Sequence, residues 1–257
     1  MAEAFQPIAI RPPSEGRWLF AVRCMLDLQL LTVWRFLKPL LPTWRGRVLD
    51  VGAGAAPWRE LLTNSDYVGT DVATAGEFGM RRVPGVIYYD GSVLPFADRS
   101  FDHVVCTEVI EHVPDPVAFA ADLHRVLRPG GSLALTVPWS ARLHHLPNDY
   151  HRFTRYRLGA LLSEAGFSAI AITERGNDVA VIANKVLVLL MRLLRPRSVL
   201  ALLWTLPAAV LVAPVTGAFL LAAHCAMALG LGAKEDPLGY AVVALRGEVP
   251  SPATQVD

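Results

Sequence analysis

The sequence predicts an α/β fold in which a parallel sheet is wrapped by helices. From Arg47 to Glu174, short apolar runs alternate with helical stretches, which is typical of β-α-β units. One apolar run ends in an acid and two glycines, Asp50, Gly52 and Gly54, as expected of a strand that turns into a ligand-binding loop. No internal repeat is visible, and 257 residues suffice for one domain with an appended segment.

The first element is an amphipathic helix over residues 16–40, within an N-terminal region that we place at residues 1–45. Apolar side chains recur at helical spacing between basic residues, and the pattern stops at Pro39 and Pro42. Such a helix either packs on its own sheet or lies on a membrane surface. The periodicity alone does not choose between these interpretations.

Six strands and three helices are predicted in the main domain, residues 46–178. The strands are expected at residues 48–51, 67–71, 86–89, 103–106, 133–137 and 169–173. The helices are expected at residues 58–62, 116–127 and 156–165, with Asp115 and Thr154 as N-caps of the last two. A seventh strand at residues 238–245 extends the same domain over residues 234–248.

An apolar insertion over residues 179–233 separates the sixth and seventh strands. Residues 198–233 contain no Asp, Glu, Lys or Arg. If the last strand lies between the fifth and sixth, both ends of the insertion lie on one side of a membrane. A spanning helix needs about 20 residues, and Pro207, Pro214 and Gly217 lie near the middle. We therefore predict a hydrophobic helical hairpin that dips into or tightly spans a bilayer. The alternative is a pair of apolar helices buried in a homodimer interface.

Composition limits the partners and the compartment. Lys and Arg total 24 against 23 for Asp and Glu, so the basic excess of a nucleic-acid-binding protein is lacking. Cys24, Cys106 and Cys225 are far apart, which supports neither a disulfide framework nor a thiolate zinc site. The N-terminus lacks the pattern of a secretory signal. Because 53% of the residues are hydrophobic and 18% charged, we expect contact with lipid or with a large partner. Together with the cysteine pattern and the N-terminus, this composition leads us to expect the protein at the cytoplasmic face of a membrane.

The loop after the first strand indicates whether the site binds a dinucleotide or a nucleoside without phosphates. Gly52 and Gly54 let the backbone turn sharply and admit a ligand against main-chain amides. A dinucleotide fingerprint would have a third glycine where Pro57 stands, and Asp50 favours a cationic ligand over a pyrophosphate. Asp71, at the tip of the second strand, is placed to accept hydrogen bonds from ribose hydroxyls. The pattern predicts a nucleoside ligand without phosphates.

Six segments of the chain follow the order and spacing of a known family. They are Asp-Val-Gly-Ala-Gly (50–54), Gly-Thr-Asp (69–71), Asp-Gly (90–91) with Leu-Pro-Phe (94–96), Ser-Phe-Asp (100–102), Glu-Val-Ile-Glu-His-Val (108–113) and Leu-Arg-Pro-Gly-Gly (127–131). Over about residues 45–175, the chain resembles the class I S-adenosylmethionine-dependent methyltransferases of the type 11 group. The resemblance implies a Rossmann-like seven-stranded sheet, S-adenosylmethionine as cofactor and a methyltransferase activity. Ala56 stands where many members have a third glycine.

The resemblance also implies roles for individual residues. The glycine loop would hold the methionine part of the cofactor, and the acids after the second and third strands would lie near ribose and adenine. The candidate cofactor-binding residues are Asp50, Gly52, Gly54, Asp71, Val72, Asp90, Gly91 and Thr107. Each residue also has a purely structural alternative, such as a tight turn for the glycines or a cap for Asp71.

No metal site is predicted, although one group of residues raises the question. Glu108, Glu111 and His112 follow the fourth strand, and some quinone O-methyltransferases of the resembled class are thought to bind a divalent metal through a similar Glu-x-x-Glu-His group. The favoured alternative is structural, with Glu111 as a helix cap and His112 packed beside the cofactor.

Acceptor recognition is predicted in the long polar loop of residues 139–154, at the carboxyl edge of the sheet. Methyl transfer to an oxygen requires a base, and an imidazole can act near neutral pH. The candidate catalytic residues are His144, His145 and His151. The alternatives are orientation without a base and a structural cap in which Arg152 pairs with Asp149.

Together, these features predict a membrane-associated methyltransferase. It would move a methyl group from S-adenosylmethionine to an oxygen or another nucleophile of a lipid-like acceptor, such as a lipid-linked saccharide, an isoprenoid quinone or a hydrophobic metabolite. The expected partners are that acceptor and membrane lipid, with no nucleic acid. The alternatives are a non-catalytic membrane scaffold with the same fold and a transferase that takes another group from the cofactor.

Overall fold

The computed structural model describes residues 8–78, 82–196 and 198–247, and residues 1–7, 79–81, 197 and 248 of the predicted regions lie outside these ranges. The strands are β1 (Gly46–Val51), β2 (Ser65–Val72), β3 (Val86–Tyr89), β4 (Phe101–Thr107), β5 (Leu127–Pro138), β6 (Phe167–Arg175) and β7 (Gly239–Arg246). The α-helices are α1 (Arg17–Leu26), α2 (Leu28–Leu40), α3 (Pro116–Val126), α4 (Arg155–Glu164), α5 (Asp178–Leu193) and α6 (Leu202–Leu229).

One seven-stranded sheet runs in the order β3-β2-β1-β4-β5-β7-β6. The pairs from β3 to β5 are parallel, whereas β7 is antiparallel to both β5 and β6. The predicted Rossmann-like fold, with its last strand between the fifth and sixth, is confirmed. Asp50 pairs with Gly69, and Asp71 pairs with Tyr88. This register places the ends of β1, β2 and β3 at one edge.

Helices cover both faces of the sheet because apolar side chains on the central strands point to both sides. Leu49 and Leu133 belong to a buried cluster that includes residues of α3 and α4, such as Leu123 and Leu161. The neighbouring strand residues, including Val48, belong to a second cluster with α2. The central strands are therefore buried on both faces.

The predicted N-terminal helix is divided in two. Asp27 ends α1, and its carboxylate accepts a hydrogen bond from Leu30 N at 3.1 Å, so that it caps α2. Leu30 and Leu37 of α2 are buried against the sheet. The prediction of one helix over residues 16–40 was wrong at this break, and α2 follows the interpretation in which the helix packs on its own sheet.

The apolar insertion forms two helices, α5 and α6, but the predicted position of the turn was wrong. Pro207 and Pro214 lie inside α6, a helix of 28 residues, and the chain turns between Leu193 and Leu202 instead. Pro196 lies in that turn, where proline commonly follows a helix end. Among the described residues, α6 is long and apolar enough to cross a membrane by length and composition.

The predicted strands are all present. β3 has the predicted bounds, β7 lies one residue further along the chain than predicted, and the other five strands are longer than predicted. The predicted helices at residues 116–127 and 156–165 correspond to α3 and α4. The expected helix at residues 58–62 is a 3₁₀ turn over Arg59–Leu61. Asp115 and Thr154 cap α3 and α4 as predicted, through bonds to Val117 N at 3.1 Å and Arg157 N at 3.2 Å.

Candidate cofactor and acceptor site

All eight predicted cofactor-binding residues lie at or directly after the ends of β1 to β4. The loop that follows β1 is fixed to β2, because the amides of Gly52 and Ala53 donate to the carbonyl of Thr70 at 2.9 and 3.0 Å. Gly52 has φ +72°, and a Cβ at this position would lie 2.2 Å from Cγ2 of Val109. Glycine is therefore required here by the close approach of the segment after β4.

Gly54 and Asp71 lie together at this edge, where there is open space for a ligand. Gly54 has φ +54°, and a Cβ there would meet no atom within 4 Å. Its amide donates to Oδ2 of Asp71 at 2.8 Å, and Val72 N donates to Oδ1 at 2.7 Å. A carboxylate has about four acceptor positions, so both oxygens of Asp71 can accept further hydrogen bonds. Burial raises the pKa of Asp71, and the two amide hydrogen bonds offset part of that rise.

Asp50 is a buried carboxyl group beneath this loop. Its side chain is fully buried, Oδ2 accepts a hydrogen bond from the Tyr67 hydroxyl at 2.9 Å, and Oδ1 has no partner among the described residues. Gly69 leaves room for that hydroxyl, since a Cβ at Gly69 would lie 2.9 Å from it. Burial raises the pKa of Asp50 to about 7, despite the hydrogen bond from Tyr67.

The remaining predicted cofactor residues line the same edge. Asp90 is exposed, and its carboxylate accepts hydrogen bonds from the amide and hydroxyl of Ser92 at 3.0 and 2.6 Å. Gly91 has φ +86°, and a Cβ there would lie 3.3 Å from Val72. The Thr107 hydroxyl accepts from the indole of Trp58 at 3.1 Å.

Two of the predicted catalytic histidines lie together, in the loop after β5. His144 and His145 pack against His112, with ring centroids 4.6 and 5.1 Å from it. Nε2 of His144 lies 3.2 Å from Nε2 of His112. Burial lowers the pKa of His112 to about 4, and the adjacent His144 acts in the same direction. His112 is therefore neutral at neutral pH.

The third predicted catalytic histidine lies apart from this pair. Nε2 of His151 lies 3.1 Å from the carbonyl of Val113, and its ring centroid is 5.3 Å from that of Phe153. The amides of Tyr150 and His151 donate to the carbonyl of Glu111 at 2.9 and 3.2 Å. These contacts join the loop after β5 to the segment after β4.

Asp149 and Arg152 pair as the sequence suggested. Arg152 donates through both terminal nitrogens to Asp149, at 2.5 and 2.8 Å, and Nδ1 of His144 lies 3.3 Å from Oδ2 of the same carboxylate. Burial would raise the pKa of Asp149, but the hydrogen bonds from His144 and Arg152 lower it well below its usual range. Asp149 is therefore ionised and fixes the orientation of His144.

Glu108 and Glu111 have different environments although they are close in sequence. Oε1 of Glu108 accepts from Nη2 of Arg175 at 2.6 Å. Glu111 is fully buried, and neither of its carboxyl oxygens has a hydrogen-bond partner in the described structure. The sequence interpretation of Glu111 as a helix cap was therefore wrong. Burial, and then the charge of Glu108, raise the pKa of Glu111 well above its usual range.

Sequence analysis did not identify Tyr67 or Arg175. The signal for Tyr67 is a glycine inside β2, because Gly69 lacks the side chain that would otherwise clash with the Tyr67 hydroxyl. Arg175 is 3% exposed and contacts groups on α2, β5 and β7. These partners are distant in sequence, so no local pattern indicates its role.

Comparison with known proteins agrees with this geometry. Residues 49–135 match the family described as "Methyltransferase domain". This match identifies residues 49–135 as a methyltransferase domain. S-adenosylmethionine is its cofactor, and the matched segment includes the glycine loop, Asp71 and the strands that position them.

Curated relatives are similar to this chain over part of its length. Cycloartenol-C-24-methyltransferase 1 of Oryza sativa subsp. japonica is 34% identical over 40% of this chain and 33% of its own length. The ubiquinone biosynthesis O-methyltransferase of Paracidovorax citrulli (strain AAC00-1) is 35% identical over 36% of this chain and 43% of its own length. The similarity therefore spans less than half of these relatives.

A solved structure shows the same fold over most of the chain. It belongs to a complex between the Haloferax volcanii Trm112 methyltransferase activator and a methyltransferase, and the superposition covers 93% of this chain and 98% of that chain. The TM-score is 0.54, with 16% sequence identity. At this identity, the likeness concerns the fold of the methyltransferase domain.

The residues at the edge fit S-adenosylmethionine. The unpartnered buried oxygen of Asp50 suits a ligand with positive charge. The open space at Gly54 lets a ligand approach the main chain, and the carboxylate of Asp71 retains acceptor capacity for a ribose. Each of these features satisfies one chemical part of that cofactor.

Proposed function

We propose that this protein transfers the methyl group of S-adenosylmethionine to a lipid-like acceptor at the cytoplasmic face of a membrane. The observation that carries the proposal is the arrangement of Asp50, Gly54 and Asp71 at the edge of a methyltransferase domain. The names of the relatives support the acceptor class, since one refers to a sterol and one to a quinone pathway.

In this reaction, residues of the chain bind the cofactor, orient the acceptor and accept a proton. When bound, the cofactor supplies an electrophilic methyl group. Asp71 would hold the ribose through charge-assisted hydrogen bonds. The open space at Gly54 would let the cofactor approach the main chain. The loop after β5 orients the acceptor, and orientation supplies a large part of the rate enhancement in such a transfer. For an oxygen acceptor, the base comes from the candidates His144, His145 and His151.

The α5–α6 pair supports a membrane surface as the place of reaction. Three basic side chains, Lys185, Arg192 and Arg195, lie on or just after α5 and are exposed, whereas α6 carries no Asp, Glu, Lys or Arg. Leu203, Trp204 and Leu211 of α6 are 69, 80 and 73% exposed. We infer that α6 faces the acyl chains and that α5 faces anionic headgroups.

The N-terminal helix α1 extends this apolar surface. His224 of α6 bonds to the carbonyl of Met25 at 2.9 Å, so the end of α1 lies beside α6. Trp18, Leu19 and Met25 of α1 are exposed. An amphiphilic acceptor held in the membrane would therefore meet the domain beside two apolar helices.

Binding of S-adenosylhomocysteine, measured by calorimetry, tests the cofactor site. We expect Asp71→Asn to weaken binding about tenfold or more, because it removes a charged acceptor worth roughly 1.5–3 kcal/mol per hydrogen bond. Asp66→Asn is the matched control, since Asp66 lies on the same strand but pairs with Arg47 near the opposite end. Equal affinities in both folded variants would contradict the proposal.

Methyl transfer is tested with S-adenosylmethionine labelled in its methyl group and an isoprenoid hydroquinone in detergent micelles. The proposal expects label in the lipid phase, and less of it with Asp71→Asn. Consumption of the cofactor without label in the lipid phase would favour transfer of another group. A folded protein that does not bind S-adenosylhomocysteine would be a scaffold.

A further inference from the structure

Three side chains from the segment after β4 and the loop after β5 converge on one point. Their potential ligand atoms, one each from Glu111, His112 and His144, all lie within 4.8 Å of one another. Nε2 of His112 and Nε2 of His144 are 3.2 Å apart, and Oε1 of Glu111 lies 3.6 and 4.0 Å from them. We refer to these three residues as the Glu-His-His cluster.

The other ring nitrogen of each histidine faces an acceptor. Nδ1 of His112 lies 2.8 Å from the carbonyl of Asn148. Nδ1 of His144 lies 3.1 Å from the carbonyl of Arg142 and 3.3 Å from the carboxylate of Asp149. Carbonyl and carboxylate oxygens only accept, so both Nδ1 atoms carry hydrogen. In neutral rings, the two Nε2 atoms then present lone pairs to each other across 3.2 Å.

Glu111 adds a third group with lone pairs, and no hydrogen-bond donor among the described residues faces its carboxyl oxygens. Its side chain is fully buried, and both oxygens lack a hydrogen-bond partner within the described ranges. A buried carboxylate without partners is costly. A cation between the three groups would satisfy the carboxylate and both imidazoles together.

We propose that Glu111, His112 and His144 bind a divalent transition-metal ion. Two imidazoles and one carboxylate suit zinc, iron or a related ion better than magnesium or calcium. Two ligands about 2.0–2.1 Å from a tetrahedral metal lie about 3.3 Å apart, which matches the imidazole separation of 3.2 Å.

The groups around the cluster hold its histidines in the way that metal-bound histidines are usually held. Metal-bound histidines usually donate their second N–H to a carboxylate or a carbonyl, as the Nδ1 atoms of His112 and His144 do. Asp149 is itself held by two hydrogen bonds from Arg152. Three protein ligands leave coordination positions open for water or an acceptor oxygen. This arrangement makes His144 a ligand and leaves His145 and His151 as candidates for the base.

The cluster differs from the group that the sequence suggested. Glu108 is paired with Arg175 and lies outside it, whereas His144 enters from a loop that follows the next strand. The site therefore depends on a contact between two segments that are more than thirty residues apart.

A cobalt titration of the full-length chain, without a histidine tag and after treatment with a chelator, tests the proposal. The visible absorption of Co²⁺ reports ligand geometry without any measurement of activity. We expect one Co²⁺ per chain, an absorption band in the visible range, and its loss on addition of Zn²⁺. Glu111→Gln and His144→Gln should each weaken Co²⁺ binding at least tenfold.

His151→Gln is the matched control, because His151 lies in the same loop and bonds to the carbonyl of Val113 instead. Thermal unfolding and S-adenosylhomocysteine binding identify variants that have lost the fold or the cofactor site, so failure of the proposed function is recognised separately. Wild-type protein that binds S-adenosylhomocysteine but neither Co²⁺ nor Zn²⁺ would overturn the proposal. The two imidazoles would then share a proton. Binding that is retained in both cluster variants would overturn it as well.

Discussion

Asp50 lies among the cofactor-binding residues at the edge of the sheet, which we refer to as the cofactor edge. Its carboxyl group makes the stability of the protein depend on pH. Burial raises its pKa to about 7, whereas an unfolded chain has a value near 3.9. Between about pH 4 and pH 7, the folded state therefore binds more protons than the unfolded state. The free energy of unfolding contributed by Asp50 falls as pH rises through this window.

Asp50→Asn should remove this dependence. The amide oxygen still accepts from the Tyr67 hydroxyl, and the group no longer ionises. Relative to wild type, the variant should gain up to about 4 kcal/mol of stability between about pH 4 and pH 7. Urea unfolding of the cofactor-free protein at several pH values measures this difference.

Asp66→Asn is a suitable control for that series, because its side chain is 68% exposed. Its stability relative to wild type should change little with pH. If the wild-type and Asp50→Asn curves stay parallel from about pH 4 to pH 7, the carboxyl group of Asp50 does not titrate as its burial requires.

At the scale of elements, Arg175 joins four parts of the fold at the end of β6. It donates to Glu108 after β4 and to the carbonyls of Val137 on β5 and Tyr240 on β7. It also donates to the Thr32 hydroxyl on α2. The antiparallel strand β7 and the helix α2 are thus tied to the site through one side chain.

Arg175→Met should destabilise the protein by about 3–5 kcal/mol, because it leaves Glu108 unpaired and several buried acceptors without a donor. A double-mutant cycle with Glu108→Gln isolates the pair itself. Denaturant unfolding of the four proteins provides the coupling energy.

Arg155→Met offers a comparison, since Arg155 at the start of α4 pairs at the surface with Glu174, the neighbour of Arg175 on β6. Breaking such an exposed pair should cost no more than about 1 kcal/mol. Equal losses for Arg155→Met and Arg175→Met would show that the buried position of Arg175 contributes nothing beyond a surface ion pair.

Elements were predictable from sequence where a local pattern determines them. The strands around Val48 and Val104 carry continuous apolar runs, and Asp115 marks the start of α3. The break at Asp27 and the turn after α5 were missed. At Asp27 the apolar pattern continues across the end of α1. After α5, Arg195 and Pro196 interrupt the pattern, but Pro207 and Pro214 were interpreted as the turn, and proline inside α6 does not end that helix.

At the scale of the whole molecule, the cofactor edge and the Glu-His-His cluster differed in predictability. Asp50, Gly54 and Asp71 follow directly after strands, so the order of strands places them together. His144 reaches His112 only through a loop whose path depends on Asp149 and on contacts with Glu111. Spacing along the chain does not encode that path.

The exposed apolar side chains of α6 allow a test of lipid binding. Replacing Leu203, Trp204 and Leu211 together with glutamine should abolish flotation with vesicles of phosphatidylcholine and phosphatidylglycerol, because these side chains are largely exposed apolar groups. Unfolding free energy should change by no more than about 0.5 kcal/mol per site, as for other surface positions.

Polar substitutions elsewhere on the surface control for a general loss of apolar area. Val93, Val117 and Tyr156 are also exposed, at 61, 47 and 86%, and lie on the methyltransferase domain outside α5 and α6. Glutamine at these three positions should leave flotation unchanged. Wild-type protein that does not float, but sediments as a dimer that the α6 substitutions convert to a monomer, would show that α6 is covered by a second copy of the chain instead of lipid.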